Sequence, residues 1–456
     1  MFSDIYRKQT EFFNSRQTFD VDFRVQKLKA LRKTVLNNEN KIIAALRQDF
    51  NKSPFETLSS EIGVVIDEIN LHIKNLRSWQ KAQKVFPALV NFPSSAEIYR
   101  QPYGKVLIIS PWNYPFNLSM IPLVGAISAG NTVVLKPSEY SPATGMILTK
   151  ILREVFDENY VKVVQGNART AQQLLKLKWD YIFFTGSSVV GKYIYQAAAE
   201  HLTPVTLELG GKSPVIIDHT ADLDLAAKRI VWGKFLNAGQ TCIAPDYILI
   251  PNEICDIFIK KLQKEIIKTY GKDIKNNPDY PRIINDKNHR RLLRILEGQN
   301  IVYGGEHDAE SLFLSPCIVK NPDLNSELMQ YEIFGPVLPV IAYNSLQEIE
   351  QILQQHPDPL AFYIFSNDRK KQKYFIRNFR FGGGVINDTI VHFINKRLPF
   401  GGVGNSGTGR YHGKYSFETF SYRKAVVKRA TWLDIPIRYL PPTHWKEKLI
   451  RLFLMK

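Results

Sequence analysis

Cys242, one of three cysteines in the chain, stands in "GQTCIAPDY" (residues 239–247), between a Gly-Gln-Thr run and an Ala-Pro-Asp-Tyr run. Turn-forming neighbours on both sides suit a thiol that faces a cleft and acts as a nucleophile. Three other stretches have the same character. "PWNYP" (111–115) carries Asn113, "FTGSSVVG" (184–191) carries Ser187 between Gly186 and Gly191, and "LELGGKSP" (207–214) carries Glu208. Each of the four sets small or turn-forming residues beside a polar side chain. All four are expected at the carboxyl end of a strand, the edge where open α/β sheets bind ligands. Taken singly, each also reads as plain structure. A lone cysteine is usually core, Glu208 suits a structural ion pair, and Asn113 suits a cap on the helix that follows. "GSSVVG" is neither G-x-G-x-x-G nor a P-loop, so it is either a simple strand-to-helix turn or a phosphate-binding helix start. Cys255 in "EICDIFIKKL" and Cys317 in "LSPCIVK" are expected in the core.

These stretches need a scaffold, and the periodicity supplies one. The first 80 residues read as helices with apolar positions three and four apart, as in "SEIGVVIDEINLHIKNLRSWQ". From residue 101 to 208, apolar runs ("KVLIIS", "TVVLKPS", "VKVVQG", "YIFFTG") alternate with helical segments. Continuously apolar strands separated by helices predict a parallel sheet covered on both faces, an α/β doubly wound unit. A second unit with the same alternation begins near "LELGGKSPVII" and runs to about residue 395. A cleft between two such units is a natural ligand site.

The 456 residues allow two or three domains at ~150 residues each. No apolar run reaches the ~20 residues of a spanning helix. The start, "MFSDIYRKQTEFFNSRQ", lacks a signal-peptide apolar stretch, and three cysteines make no disulfide framework, so a reducing cytoplasmic setting is expected. The net charge of +17 invites a nucleic acid or an anionic membrane. No RNP, zinc-finger or basic-zipper pattern accompanies it, so no nucleic-acid partner is expected. Nine Lys or Arg lie between Arg423 and Lys456, against Asp434 and Glu447.

Taken together, the motifs are far more specific than any one of them. "PWNYP", "KPSE", "FTGS", "LELGGKSP", "GQTCIAPDY", "EIFGP" and "LPFGGVGNSGTGRYHGKYSFETFS" follow one another in an order and at intervals that resemble the aldehyde dehydrogenase superfamily over nearly the whole chain. The short N-terminus, the "APDY" after the cysteine and "YHGKYSFETFS" are similar to its class-3 and fatty aldehyde branch. The resemblance implies an α/β fold with a doubly wound cofactor domain, an α/β catalytic domain and a small oligomerisation arm. It divides the chain into an NAD-binding domain (1–85 and 101–208), a catalytic domain (209–404), a bridging arm (86–100 and 405–440) and a tail (441–456).

The same resemblance assigns roles. Cys242 attacks an aldehyde carbon. Asn113 and the Cys242 backbone N–H hold the oxyanion, and Glu208 activates the water that releases the acid. Lys136 and Glu139 of "KPSE" contact the adenine ribose, which favours NAD while leaving NADP possible. Trp112, Gly186, Ser187, Gly191, Leu209 and Gly210 line the cofactor, and Glu332 and Phe334 hold its nicotinamide end. No metal is implied. Relatives often carry Glu-Glu where this chain has Tyr331 and Glu332, and the ribose-contacting position is the second. No cysteine flanks Cys242, and no histidine stands near it in sequence. The expected substrate is an apolar aldehyde and the expected assembly a homodimer. A dehydrogenase for a charged semialdehyde and a non-catalytic scaffold protein are the alternatives.

The last residues, "WKEKLIRLFLMK", put Trp445, Leu449, Leu452 and Phe453 on one helical face, with Lys446, Lys448, Arg451 and Lys456 elsewhere on the wheel. Such a helix suits peripheral contact with an anionic membrane, packing on the protein or its partner, or a wall of the substrate entrance.

Overall fold

The computed structural model describes residues 2–88 and 91–455. Leu89 and Val90, within the expected arm, and Met1 and Lys456 lie outside the described residues, as does the Phe453 side chain. Helices open the chain: Phe2–Asn14, Val21–Asn37, Glu39–Phe50, Pro54–Thr57 and Gly63–Trp79. In Val21–Asn37 the Asp20 side chain caps the Asp22 N–H, and Leu28, Leu31 and Val35 turn inward at helical spacing. Leu58–Ile62 winds as a π-helix, a local widening often found at functional sites.

The first sheet has the order Gly407–Thr408, Val205–Glu208, Tyr181–Thr185, Lys105–Ile109, Thr132–Lys136, Val161–Val163. Its strands are parallel except Gly407–Thr408. The chain enters at Lys105–Ile109, works outward to Val161–Val163, then resumes on the other side at Tyr181–Thr185. The topological switch therefore lies between Lys105–Ile109 and Tyr181–Thr185, where a crevice opens at the strands' carboxyl ends. Thr132–Lys136 and Tyr181–Thr185 are buried at every position, as strands covered on both faces must be. The helix Asn117–Ala129 is buried on all sides, which explains its apolar run.

The second sheet has the order Ile301–Tyr303, Cys317–Lys320, Val337–Tyr343, Tyr247–Pro251, Pro214–Ile217, Ala361–Phe365, Gly383–Ile386. Only the pairing of Ile301–Tyr303 with Cys317–Lys320 is antiparallel. Cys255 and Cys317 are buried. Gln83–Val85, Ser94–Pro102 and Ser421–Arg429 form a separate antiparallel sheet. This sheet thus takes in Gln83–Val85, ahead of the expected arm, while Gly407–Thr408 leaves the arm segment to join the first sheet.

The tail forms the helix His444–Leu454, with Trp445 and Leu452 exposed. One expectation fails here. Lys446 is 9% exposed, because its Nζ donates to the carbonyls of Tyr439 (2.7 Å) and Pro441 (2.9 Å), so it faces the protein and is not part of the basic outer surface. Among the described residues no helix is long and apolar enough to cross a membrane.

Candidate active site

Each motif reaches the crevice by a different local device. Residues 110–116 follow the strand Lys105–Ile109 and precede the helix Asn117–Ala129, whose N-cap is Phe116. Asn113 is therefore not a cap. It is 2% exposed, and its Nδ2 donates to the Gln240 carbonyl at 3.1 Å, which leaves one of its two N–H groups free. Glu208 ends its strand beside Thr185 and Gly407. The expected position of "GQTCIAP" at a strand's carboxyl end is corrected. The segment leaves the helix Leu223–Phe235 through the turn Leu236–Gly239 and enters the strand Tyr247–Pro251 at its amino end. Cys242 comes to the first sheet's crevice from the second unit.

Three consecutive left-handed residues, Asn237 (φ 52°), Ala238 (51°) and Gly239 (73°), make that turn. Gly239 is needed there, since a Cβ would overlap the Gly335 carbonyl. Gln240 is wholly buried and fixes the loop. Its Nε2 donates to the carbonyls of Asn237 (3.1 Å) and Arg282 (3.0 Å), and its Oε1 accepts from the Ile284 N–H (3.0 Å). Asn237 Nδ2 donates to the Asn113 carbonyl at 2.8 Å, so the two loops share a frame. Below it lies a buried ion pair, Lys52 with Glu61 at 2.9 Å, neither side chain exposed, and Glu61 Oε2 accepts from the Asn117 N–H at 2.8 Å.

Two cavities meet at Cys242, which is itself partly exposed. One, of about 400 Å³, runs toward the switch point past Asn113, Trp112, Gly186, Ser187, Glu332 and Phe334. The other, of about 160 Å³, is walled mainly by apolar and aromatic side chains, among them Tyr114, Trp232, Leu236, Ile394, Phe400 and Tyr411. Thr185, Glu208 and Cys242 line both. A third cavity of about 470 Å³ extends from Trp112, Gly186 and Ser187 to Lys136 and Glu139. Leu209 and Gly210 line the first cavity. Gly191 is not among the residues lining these three cavities; a Cβ there would meet the Leu209 side chain at 2.6 Å, so this glycine lets its helix approach the strand end. Thr185, Asn288 and Arg291 line the first cavity without having been singled out in the sequence. Thr185 sits inside a quoted motif, whereas Asn288 and Arg291 lie on the ordinary amphipathic helix Asp286–Leu296.

Burial sets the protonation of the site. It pushes the Cys242 thiol well above its ordinary range, and Glu332 and Glu208 add to the effect. Burial likewise raises Glu208 well above the usual carboxylate range, against a smaller pull from Arg410; neither carboxyl oxygen has a hydrogen-bond partner. Glu332 is pushed up to about 8 by burial, with Asp246 adding, and its sealed Oε1 is also unpartnered. Cys242 and Ile243 turn their backbone N–H groups toward the sulfur.

The residues present fit a dinucleotide. Ser187 caps the helix Ser188–Ala199, whose positive N-terminus opens into the shared crevice. Lys136 Nζ and Glu139 Oε2 pair at 2.9 Å in the third cavity, where a ribose would find a donor and an acceptor. The Glu332 side chain lines the first cavity, where a carboxylate suits a second ribose hydroxyl. Trp112 and Phe334 stand edge to face, centroids 5.3 Å apart, around the first cavity, and Phe334 holds a left-handed φ of 51°, a conformation that costs energy for a bulky residue.

Comparison with known proteins agrees with this geometry. The sequence profile of the Aldehyde dehydrogenase family matches residues 5–426. The 4,4'-diaponeurosporen-aldehyde dehydrogenase of Staphylococcus aureus is 46% identical over 97% of this chain and 96% of its own. The dimeric, NADP-preferring aldehyde dehydrogenase of Rattus norvegicus is 44% identical over 94% of each chain. The solved substrate-bound state of Staphylococcus aureus AldH superposes with a TM-score of 0.97 at 45% identity, covering 99% of each chain.

Proposed function

The chain belongs to the aldehyde dehydrogenase family, and from that premise we propose that it oxidises apolar aldehydes to carboxylic acids, with Cys242 as nucleophile, Asn113 as oxyanion donor and Glu208 as general base. NAD(P)-dependent aldehyde oxidation goes with the family; the substrate class and the residue roles are our reading. The observation that carries it is the junction at Cys242, where a cavity from the sheet's switch point meets an apolar one. An aldehyde arriving through the apolar cavity brings its carbonyl to the sulfur, and its chain replaces water against Trp232, Leu236 and Phe400. The thiolate adds to the carbonyl carbon. The resulting oxyanion accepts from the Cys242 N–H and from the free N–H of Asn113, a donor worth roughly 3 kcal/mol at such a position. When bound, an oxidised nicotinamide supplies the hydride acceptor and a positive charge near the sulfur. Cys242 is left as a thioester. Glu208, ionised, takes a proton from the attacking water, and the acid departs with the thiolate restored.

The apolar walls argue against a charged semialdehyde, and the Staphylococcus aureus relative is named for 4,4'-diaponeurosporen-aldehyde. We infer NAD as the preferred cofactor, because the Glu139 carboxylate beside Lys136 repels a 2′-phosphate; the NADP-preferring rat relative keeps NADP open. We also infer a homodimer through the exposed antiparallel sheet, with Val426 and Val427 at its surface, and membrane contact through the tail helix. The decisive experiment is Cys242→Ala. Oxidation of a medium-chain aldehyde should vanish while NADH binding, followed by fluorescence, stays intact. Near-normal turnover in that variant would sink the nucleophile assignment.

A further inference from the structure

Three of the site motifs have a neighbour four or fewer residues away that takes no part in the chemistry above, and these neighbours meet. Lys212 follows Glu208 by four positions, Asp246 follows Cys242 by four, and Ile333 adjoins Glu332. Lys212 Nζ pairs with Asp246 Oδ2 at 2.5 Å, with the side chains 4% and 5% exposed. Its other two protons go to the carbonyls of Leu328 (3.0 Å) and Tyr331 (2.9 Å), so all three donors are used. Asp246 Oδ1 accepts from the Ile333 N–H at 3.0 Å. Arg291 holds the same residue from the opposite side, donating to the Ile333 carbonyl at 2.7 Å. The segment 328–333 is thus fastened by four charge-assisted hydrogen bonds just before Phe334. The Glu332 carboxylate lies on Gly210, where a Cβ would overlap it, and accepts from the Gly211 N–H.

We propose that the Lys212–Asp246 pair is a positioning device for the loop carrying Glu332 and Phe334, fixing the nicotinamide end of the cofactor against Cys242 without touching cofactor or substrate. The proposal rests on the functional reading above. Loop 331–334 has no regular structure, and its Phe334 is in a strained left-handed conformation; such a segment stays in place only if its surroundings over-determine it. A buried ion pair is weak evidence for stability, and its better-attested use is to specify one arrangement. The Cys242 loop also has a hydrogen-bonded frame of its own, made by Gln240, Asn237 and Asn113.

The separation of the two frames gives the test. Thiol acylation needs no cofactor, so hydrolysis of 4-nitrophenyl acetate reports on Cys242 and Glu208 alone, whereas aldehyde oxidation also needs the loop. The Lys212→Met/Asp246→Leu double variant removes both charges together and avoids stranding one of them, which keeps it foldable. We expect ester hydrolysis to stay within about threefold of the parent, while kcat/KM for hexanal oxidation falls roughly 10- to 100-fold with a raised KM for NAD, the loss that a misplacement of about 1 Å produces. If the double variant is insoluble, Lys212→Met/Asp246→Asn, which strands no charge and keeps an acceptor for the Ile333 N–H, is read by the same criteria. Unchanged oxidation and KM overturn the proposal. A parallel fall in ester hydrolysis and oxidation also overturns it, since that marks a merely structural pair. A parent protein inactive with both NAD and NADP instead overturns the functional reading on which the clamp depends.

Discussion

Glu208→Gln should separate the two halves of the reaction. The carboxyl is 3% exposed, with both oxygens sealed and unpartnered, so the amide fits the same space without breaking a hydrogen bond. Its charge is one of the influences that raise the Cys242 thiol, so its removal does not hinder nucleophile formation. Thiol attack and oxidation to the thioester therefore continue, and only the water loses its base. A positioned general base is worth roughly 10²–10⁴ in rate, about 3–5 kcal/mol at ~1.36 kcal/mol per decade. Steady-state kcat should fall by that factor, and a rapid-mixing trace should show a burst of NADH stoichiometric with Cys242 before slow turnover. The pH profile adds an independent check. Burial raises Glu208 well above the usual carboxylate range, so the base form grows with pH, and parent turnover should climb with pH above that range where deacylation limits it. The Gln variant should lack that limb. A variant with no burst and with kcat near the parent's across the pH range would make Glu208 a wall of the cavity and refute the argument.

Three further outcomes follow from the same physics. Glu139→Ser should narrow the preference for NAD over NADP by about tenfold, or ~1.4 kcal/mol, in paired kcat/KM measurements; a parent that already prefers NADP would contradict the premise. Glu56 is buried, and desolvation holds its carboxyl at about 7 in place of the ordinary 4.5, with Lys52 opposing and Glu61 adding. The folded state keeps that proton while the unfolded chain has released it, so stability drops as pH rises from 4.5 to 7, by about 3 kcal/mol in full. Glu56→Gln should therefore unfold at a higher denaturant midpoint than the parent at pH 8 and show no such gain at pH 4; an equal effect at both would refute the sign. Deleting residues 445–456 should lower sedimentation with anionic liposomes at low salt, since Lys448 and Arg451 each contribute about 1 kcal/mol near such a surface. The same deletion should change KM for long-chain aldehydes more than for short ones. Full-length protein that ignores the liposomes would remove the membrane half of that reading.

The strands of the first sheet were legible because burial on both faces leaves an unmistakable signature: "KVLII" and "YIFFT" have no polar alternation, and turn residues bound them. The four reactive stretches were legible for a similar reason, since each is a contiguous run whose small residues serve one tight turn. The approach direction of Cys242 was not. A loop entering a strand and a loop leaving one have the same composition, and only the order of the second sheet decides that this cysteine crosses from the other unit. The tail misled in the same manner. A helical wheel puts Lys446 among the outward charges, yet two carbonyls contributed by the turn at Tyr439–Pro441 draw it inward.

What periodicity cannot encode is the meeting of motifs that are far apart in the chain. Gly186 and Glu208 come together because Thr185 and Glu208 pair in register and the Gly186 N–H donates to the Glu208 carbonyl at 3.0 Å. Asn113 reaches the Cys242 loop through Gln240 and Asn237, some 125 residues later. Each is a buried amide, costly unless satisfied, and the bonds that join Asn113 to this loop form only when the two units are docked. Lys212 and Asp246 meet within the second unit, where stranding either charge would cost far more than the pair returns. The residues hardest to read from the sequence are thus those whose polarity is justified by another loop. The bonds between Asn113 and the Gln240–Asn237 turn couple docking of the two units to assembly of the site, so that a misdocked cleft leaves the Asn113 amide without its partner.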